Sequence, residues 1–267
     1  MGRAATCTHT GSMTTAIHNE RLKKQQMDSE ENGGGMDSEL AELRILHLAD
    51  SALPVGGLAH SFGLESLVSA ELLGVRELPE FLRTFLEEAG FVEAVFCREG
   101  LRLASGLTPE RFAHDWKALN ERLSAMKPAR ESRAGSGSLG RNFLATVSGL
   151  GDFAIMREAL RVSKEVHESI HYSLAFGLAS GALGLVEDRA VLAFLHTSVA
   201  SLVSACQRLL PLGQNAATRI LWDLKPAIVE AMRRSGGCTL DDASGFMPLL
   251  DWGTMEHPAL ATRLFIS

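Results

Sequence analysis

Cysteine is scarce. Cys7, Cys97, Cys206 and Cys238 are the only four in 267 residues, and no two of them form a CxxC pair. That argues against a zinc ribbon and against a thioredoxin-type dithiol. The N-terminus also has no apolar h-region of the kind that marks a secretory signal, so free thiols in a reducing cytoplasm are expected. Positive charge is not in excess: 26 Lys and Arg stand against 32 Asp and Glu, a net charge of −6. No basic field would draw the chain to nucleic acid or anionic lipid. No apolar run reaches the ~18–20 residues of a membrane span without a charge or a turn signal. The best candidate, Tyr172 to Val186, is short and carries three glycines. Alternating runs of Val, Ile and Thr are missing too, which removes the usual signal for strands. There is no Walker A motif and no GxSxG elbow, so neither P-loop nucleotide binding nor a serine hydrolase is indicated.

What the chain does have is an ordinary globular composition, 46% hydrophobic and 22% charged. At this length it can bury a sizeable core. Residues 1–35 stand apart. They are Thr-, Lys- and Gln-rich, end in DSEENGGG, and hold four basic and four acidic residues that cancel. With so little apolar side chain to offset ordering entropy, they read as a disordered N-terminal extension, and Met36 reads as a second start.

From Ser38 onward the apolar period is helical. Leu40, Leu43, Leu46 and Leu48 follow Ser38 as N-cap. Pro54 and Gly56-Gly57 break that helix with a loop. Further helices are expected over about His60–Leu73, Pro79–Ala104, Thr108–Met126, Ala129–Val147, Phe153–Val162, Glu165–Leu185, Arg189–Leu210 and Asn215–Arg234. Thr108-Pro109-Glu110 is an N-cap followed by proline in the first turn. No internal repeat of 30–45 residues is visible. The fold class is therefore all-α: a single compact domain of about eight to ten helices over residues 36–236. Residues 237–267 form a short, turn-rich, apolar tail that either packs on this domain or docks on a partner.

Two spacings carry potential chemistry. His167-Glu168-Ser169-Ile170-His171 is HExxH. On a helix its histidines would share one face and could hold Zn²⁺, with Glu168 activating a water. A zinc-dependent hydrolase is the alternative function. Against it, Leu174 and Gly177 stand where the longer metzincin motif needs glycine and histidine, and the segment runs into an Ala/Gly-rich packing helix. The second spacing, Gly135 to Gly140, is GxGxxG, but a dinucleotide site needs a preceding strand. The flanks here are helical, so a small-residue helix face is the expected reading. The Glu165–Leu185 segment is read as a central core helix, with a homodimer seam as the other possibility. His47 and His196 are expected in core or half-buried positions, and Arg130, Arg133 and Arg141 with Glu131 on an ion-paired helix face.

One block is more specific. Leu48 to Glu65 reads LADSALPVGGLAHSFGLE. It resembles the N-terminal signature of the UreF family of urease accessory proteins. Three further blocks follow in the family's order: Ala129-Arg130-Glu131 with Arg133, Gly140 and Arg141; Arg208-Leu209 through Pro211-Leu212-Gly213-Gln214; and Arg263-Leu264-Phe265. The resemblance spans about Leu43 to Ser267. Leu58 stands where most members carry an aromatic residue, Ile266 where many carry a second basic one, and residues 1–35 match nothing in the family.

The resemblance implies an all-α, cytoplasmic homodimer that is not an enzyme and needs no cofactor. It implies binding to UreD (also called UreH), joint recruitment of the GTPase UreG, and docking on apo-urease, whose carbamylated-lysine site then receives nickel. It also points to partner-binding residues in the loop and tail: Asp50, Pro54, Gly56, Gly57, Leu58 and His60, with Arg263, Leu264 and Phe265. In this picture the glycines expose loop carbonyls, the Arg263 guanidinium donates to them as a fork, and Leu264 and Phe265 bury beside Leu58. Asp50 and His60 could equally be helix caps.

Overall fold

The computed structural model describes residues 38–266, Leu58 by its backbone alone, so the expectations for residues 1–35 lie outside the described residues. Two units divide the chain, Met1–Leu43 and Arg44–Ser267. In the first, the described residues 38–43 are helical, with Leu40 and Leu43 exposed.

The second unit is built from helices, and no strand occurs among its described residues. It opens with helical residues 44–48 (α1), then α2 (Leu64–Ser69), α3 (Leu78–Glu87), α4 (Ala89–Arg102), α5 (Pro109–Met126) and α6 (Arg130–Ser148). There follow α7 (Ala154–Val166), α8 (Tyr172–Ala182), α9 (Glu187–Leu209), α10 (Gln214–Asp223), α11 (Lys225–Gly236) and α12 (Pro248–Glu256). The fold is all-α, as its composition and period predict.

Several boundaries follow from single residues. Thr108 adopts an extended conformation and its Oγ1 accepts from Arg111 N at 3.3 Å, starting α5 with Pro109 in the first turn. The expected Pro79–Ala104 helix is two helices, because the backbone leaves helical geometry at Glu88 (φ −110°, ψ −89°). The Glu88 carboxylate at that break accepts from Phe246 N of the tail at 2.7 Å. The expected Asn215–Arg234 helix also divides, at Leu224, where Pro226 in the first turn of α11 has no N–H to continue the ladder. The segment after the signature loop is shorter than expected, since Gly63 (φ +91°) and Glu71 (φ +59°) take left-handed conformations on either side of α2.

The centre of the bundle is α8, whose residues Ser173 to Ser180 are all buried. An Ala/Gly-rich helix suits that place because it lets backbones touch. A Cβ at Gly177 would stand 1.9 Å from Cys97 O on α4, and one at Gly100 would stand 2.4 Å from Leu174 O. On the other flank, a Cβ at Gly140 of α6 would stand 1.9 Å from Ile170 O. The GxGxxG spacing is thus a small-residue helix face, and α8 is the core helix rather than an exposed seam. Around it Phe143, Tyr172, Phe176 and Phe194 form a ring cluster, with Phe143 and Phe176 centroids 5.3 Å apart.

Helix α9 is the one helix among the described residues that is long and apolar enough to cross a membrane, replacing Tyr172 to Val186 as the candidate. It packs against α4, α8, α10 and α11. Arg98 of α4, 3% exposed, ties three helices together. It pairs with Glu187 at 2.6 Å and Asp188 at 2.7 Å on α9, and donates to Ser235 Oγ at 2.9 Å and Met232 O at 2.8 Å on α11.

Helix propensity alone would make Gly177→Ala stabilising by about 0.5–1 kcal/mol. The contact with Cys97 O reverses the sign, and we expect Gly177→Ala and Gly140→Ala each to cost about 2 kcal/mol. Gly213→Ala, with nothing within 4 Å of the added Cβ, is the control. Chemical denaturation of the three variants checks this.

Candidate functional site

The HExxH segment does not form a metal site. Helix α7 ends at Val166, His167 caps it in a left-handed conformation (φ +55°), and residues 168–171 run without helical structure to α8. The two histidines therefore do not share a helical face. His167 is exposed, whereas His171 is fully buried. Both His171 ring nitrogens are occupied, Nε2 with Ser124 Oγ at 2.8 Å and Nδ1 with Ser136 Oγ at 3.1 Å. Its backbone N–H donates to Asn120 Oδ1 at 2.9 Å. No group of three or more His, Cys, Asp or Glu side chains that could hold a metal occurs among the described residues. His47 and His196 are exposed rather than core residues. Arg133 is not paired with Glu131. It donates to Pro128 O at 2.9 Å and also to Lys127 O, closing the end of α5.

The loop and the tail do come together, though by different atoms than the sequence suggests. Asp50 Oδ1 accepts from Ala52 N at 2.8 Å, an Asx turn that starts the loop. Pro54 is exposed. Gly56 takes φ +84° and leads into a 3-10 turn over Gly57–Ala59, which includes the Leu58 backbone. Asn142 Nδ2 donates to Val55 O at 3.3 Å and steadies the loop from α6. His60 is 8% exposed and 5.6 Å from the Phe62 ring, and burial holds its imidazole below the ordinary histidine value.

The tail then closes on this loop. A Cβ at Gly63 would stand 2.6 Å from Thr254 N, and one at Gly253 would stand 2.7 Å from Gly63 O, so α12 lies on α2 at backbone distance. Beyond α12 the chain returns past a second 3-10 turn, His257–Ala259, to the loop, where Ile266 N donates to Ala59 O at 2.8 Å. The organising group is Glu65, 7% exposed. Its Oε1 accepts from Leu264 N at 2.6 Å, and its Oε2 accepts from Phe265 N at 3.1 Å and faces His257 Nε2 at 2.9 Å. Phe265 is buried beneath the Arg208 guanidinium, 4.3 Å from the ring centroid.

Two expectations need correction. Arg263 is exposed and donates to no loop carbonyl. Leu264 is 53% exposed rather than buried, since its backbone, not its side chain, is what Glu65 holds. Glu65 closes the signature block in the sequence, yet nothing there marks it as the acceptor, and His257 carries no signal at all.

Beneath the loop lies a cavity of about 210 Å³, bounded by Phe62, Val92, Tyr172, Phe194 and Met247. The Lys127–Glu93 ion pair stands on its wall. Burial pushes the Glu93 carboxyl up, but the Lys127 ammonium outweighs it and leaves the group below its usual range. The cavity is mostly apolar, and Ser136, which bonds His171, lies on its lining.

These features define an all-helical protein whose distinctive element is a carboxylate that seats residues 257–266 against the loop. The UreF family model matches residues 74–225. Urease accessory protein UreF of Corynebacterium glutamicum (strain R) is 33% identical over 233 residues, covering 85% of this chain and 98% of that protein. The protein of the same name from Bradyrhizobium sp. (strain ORS 278) is 30% identical over 234 residues, covering 86% and 94%. That from Rhodopseudomonas palustris (strain BisA53) is 29% identical over 230 residues, covering 84% and 92%. The chain belongs to the UreF family.

Burial and the nearby Lys127 and Arg133 charges lower the His171 pKa from 6.5 to about 4. The folded state thus binds fewer protons than the unfolded state between these values. Stability should fall by on the order of 3 kcal/mol as pH drops from about 6.5 to 4, with no further loss from this group below. Denaturation midpoints across that range, compared with His171→Gln, isolate the contribution.

Proposed function

We propose that this chain is a urease accessory protein of nickel-enzyme maturation. It acts as a non-catalytic, cytoplasmic homodimer that binds UreD (UreH) and, with it, recruits the GTPase UreG to apo-urease. Membership in the UreF family supports this reading, as do relatives named urease accessory proteins that match over nearly their full length. The observation that carries it further is the meeting of loop and tail at Ala59 and Ile266, which joins two sequence blocks more than 200 residues apart into one surface.

That surface presents Arg263, Leu264 and Ile266 to solvent. A guanidinium flanked by two exposed aliphatic side chains is suited to a protein partner, pairing with a carboxylate within an apolar rim. Nucleotide chemistry then resides on the GTPase, consistent with the missing P-loop in this sequence. Nickel is cargo passed between partners.

Deleting the gene should leave urease subunit levels normal and abolish urease activity. The intact gene should restore activity. Arg263→Ala should restore it poorly, with GTPase capture lost and the homodimer intact. Unchanged urease activity after deletion overturns the proposal. Loss of folding or dimerisation in Arg263→Ala would instead overturn the role given to the tail.

A further inference from the structure

We infer that Glu65 is the positioning residue of this surface. One carboxylate seats the strap formed by residues 257–266 and so determines whether Arg263 and Leu264 are presented together with the loop. The argument begins with what Glu65 holds. It is buried, and among the described residues every hydrogen bond it accepts comes from the strap: Leu264 N, Phe265 N and His257 Nε2. A buried carboxylate without partners is strongly disfavoured, so Glu65 and the strap require each other. The neighbouring helix α12 is held differently, by the reciprocal approach of Gly63 and Gly253, in which Glu65 takes no part. Attachment of the strap is therefore separable from attachment of α12.

The seat also carries an internal cost. Because Glu65 only accepts, His257 donates from Nε2, and its buried Nδ1 has no partner among the described residues. Seating the strap strands a polar nitrogen that release would return to water. Other ties, among them Ile266 N to Ala59 O, the Arg208–Phe265 contact and the burial of Phe265, also depend on the strap lying in place. Such an element opens locally, well below the free energy of global unfolding.

The test uses the full chain. In Glu65→Gln the side-chain amide turns an N–H toward groups that themselves donate. Leu264→Pro removes one donor from the strap and leaves Glu65 intact, which covers the case in which the Glu65 variant folds poorly. Amide hydrogen exchange should accelerate by roughly ten- to a hundredfold, at residues 264–266 in Glu65→Gln and at 265 and 266 in Leu264→Pro, the scale of losing a hydrogen bond or two to a charged acceptor. Exchange in α4, α8 and α9 should stay within about twofold of the parent chain. GTPase capture should fall in parallel. Unchanged exchange at these positions in both variants overturns the seat, as does an equal acceleration in the central helices. The last step rests on the proposed recruitment role. Faster exchange at 264–266 with undiminished GTPase capture would show that the seat is real but does not position a docking surface, overturning that role for the tail while leaving urease maturation to the gene-deletion result.

Discussion

Helix α8 touches its neighbours through backbone atoms on two sides, and the rest of the bundle is arranged around that constraint. On one side Gly177 and Gly181 face Cys97 O and Leu101 O of α4, while Gly100 of α4 faces Leu174 O in return. On the other, Gly137 and Gly140 of α6 receive Ser169 and Ile170 just before α8 begins. No side chain fits in these contacts, so close packing here fixes distance and register together. The aromatic cluster of Phe143, Tyr172, Phe176 and Phe194 can form only because α6, α8 and α9 are drawn in far enough for their rings to meet.

The same contact accounts for both spacings that looked chemical. GxGxxG and HExxH lie about thirty residues apart in the chain and against one another in space. The glycine face of α6 accommodates the non-helical backbone of residues 168–171, and Ser136 between those glycines bonds both His171 Nδ1 and Tyr172 N. A helical HExxH would have needed α7 and α8 to be continuous. They are separate because residues 168–171 are not helical and His171, in an extended conformation, reaches Asn120 and Ser136. A motif defined by spacing presupposes a conformation, and here the packing partner sets that conformation.

Helix existence was legible up to residue 236, because an apolar period of 3.6 and caps such as Thr108 act locally, but α12 lies within what reads as a turn-rich tail. The breaks at Glu88 and 167–171 were not legible, since each is stabilised by a partner far along the chain: Phe246 N for the first, Asn120 for the second. The candidate site divides in the same way. Pro54 and Gly56-Gly57 announce a loop, and the family resemblance directs attention to the tail. The attaching atoms could not be read from either. Leu264 and Phe265 are bound through backbone N–H groups that any residue supplies, and a carboxylate such as Glu65 on an amphipathic helix reads as solvent-facing until its three donors are in place. Arg263, the residue with the most conspicuous chemistry, faces outward for that reason: the tail does not need its side chain to stay seated.

Two buried charges show how the molecule separates permanence from release. Arg98 is satisfied by Glu187, Asp188, Ser235 and the Met232 carbonyl, all on helices held by extensive apolar packing, and removing it would leave the buried Ser235 hydroxyl and the Met232 carbonyl without their shared donor between α4 and α11, while Glu187 would keep Arg102. Glu65 is equally buried, but its partners all lie within the last eleven residues of the chain. Both groups pay desolvation against hydrogen bonding, yet only one can recover its hydration by a local movement. On the inferred role of Glu65, the strap opens without unfolding the bundle, and its closure responds to a partner on the proposed surface. That asymmetry places the adaptable part of the protein where loop and tail meet, and the rigid part at the glycine contacts of α8.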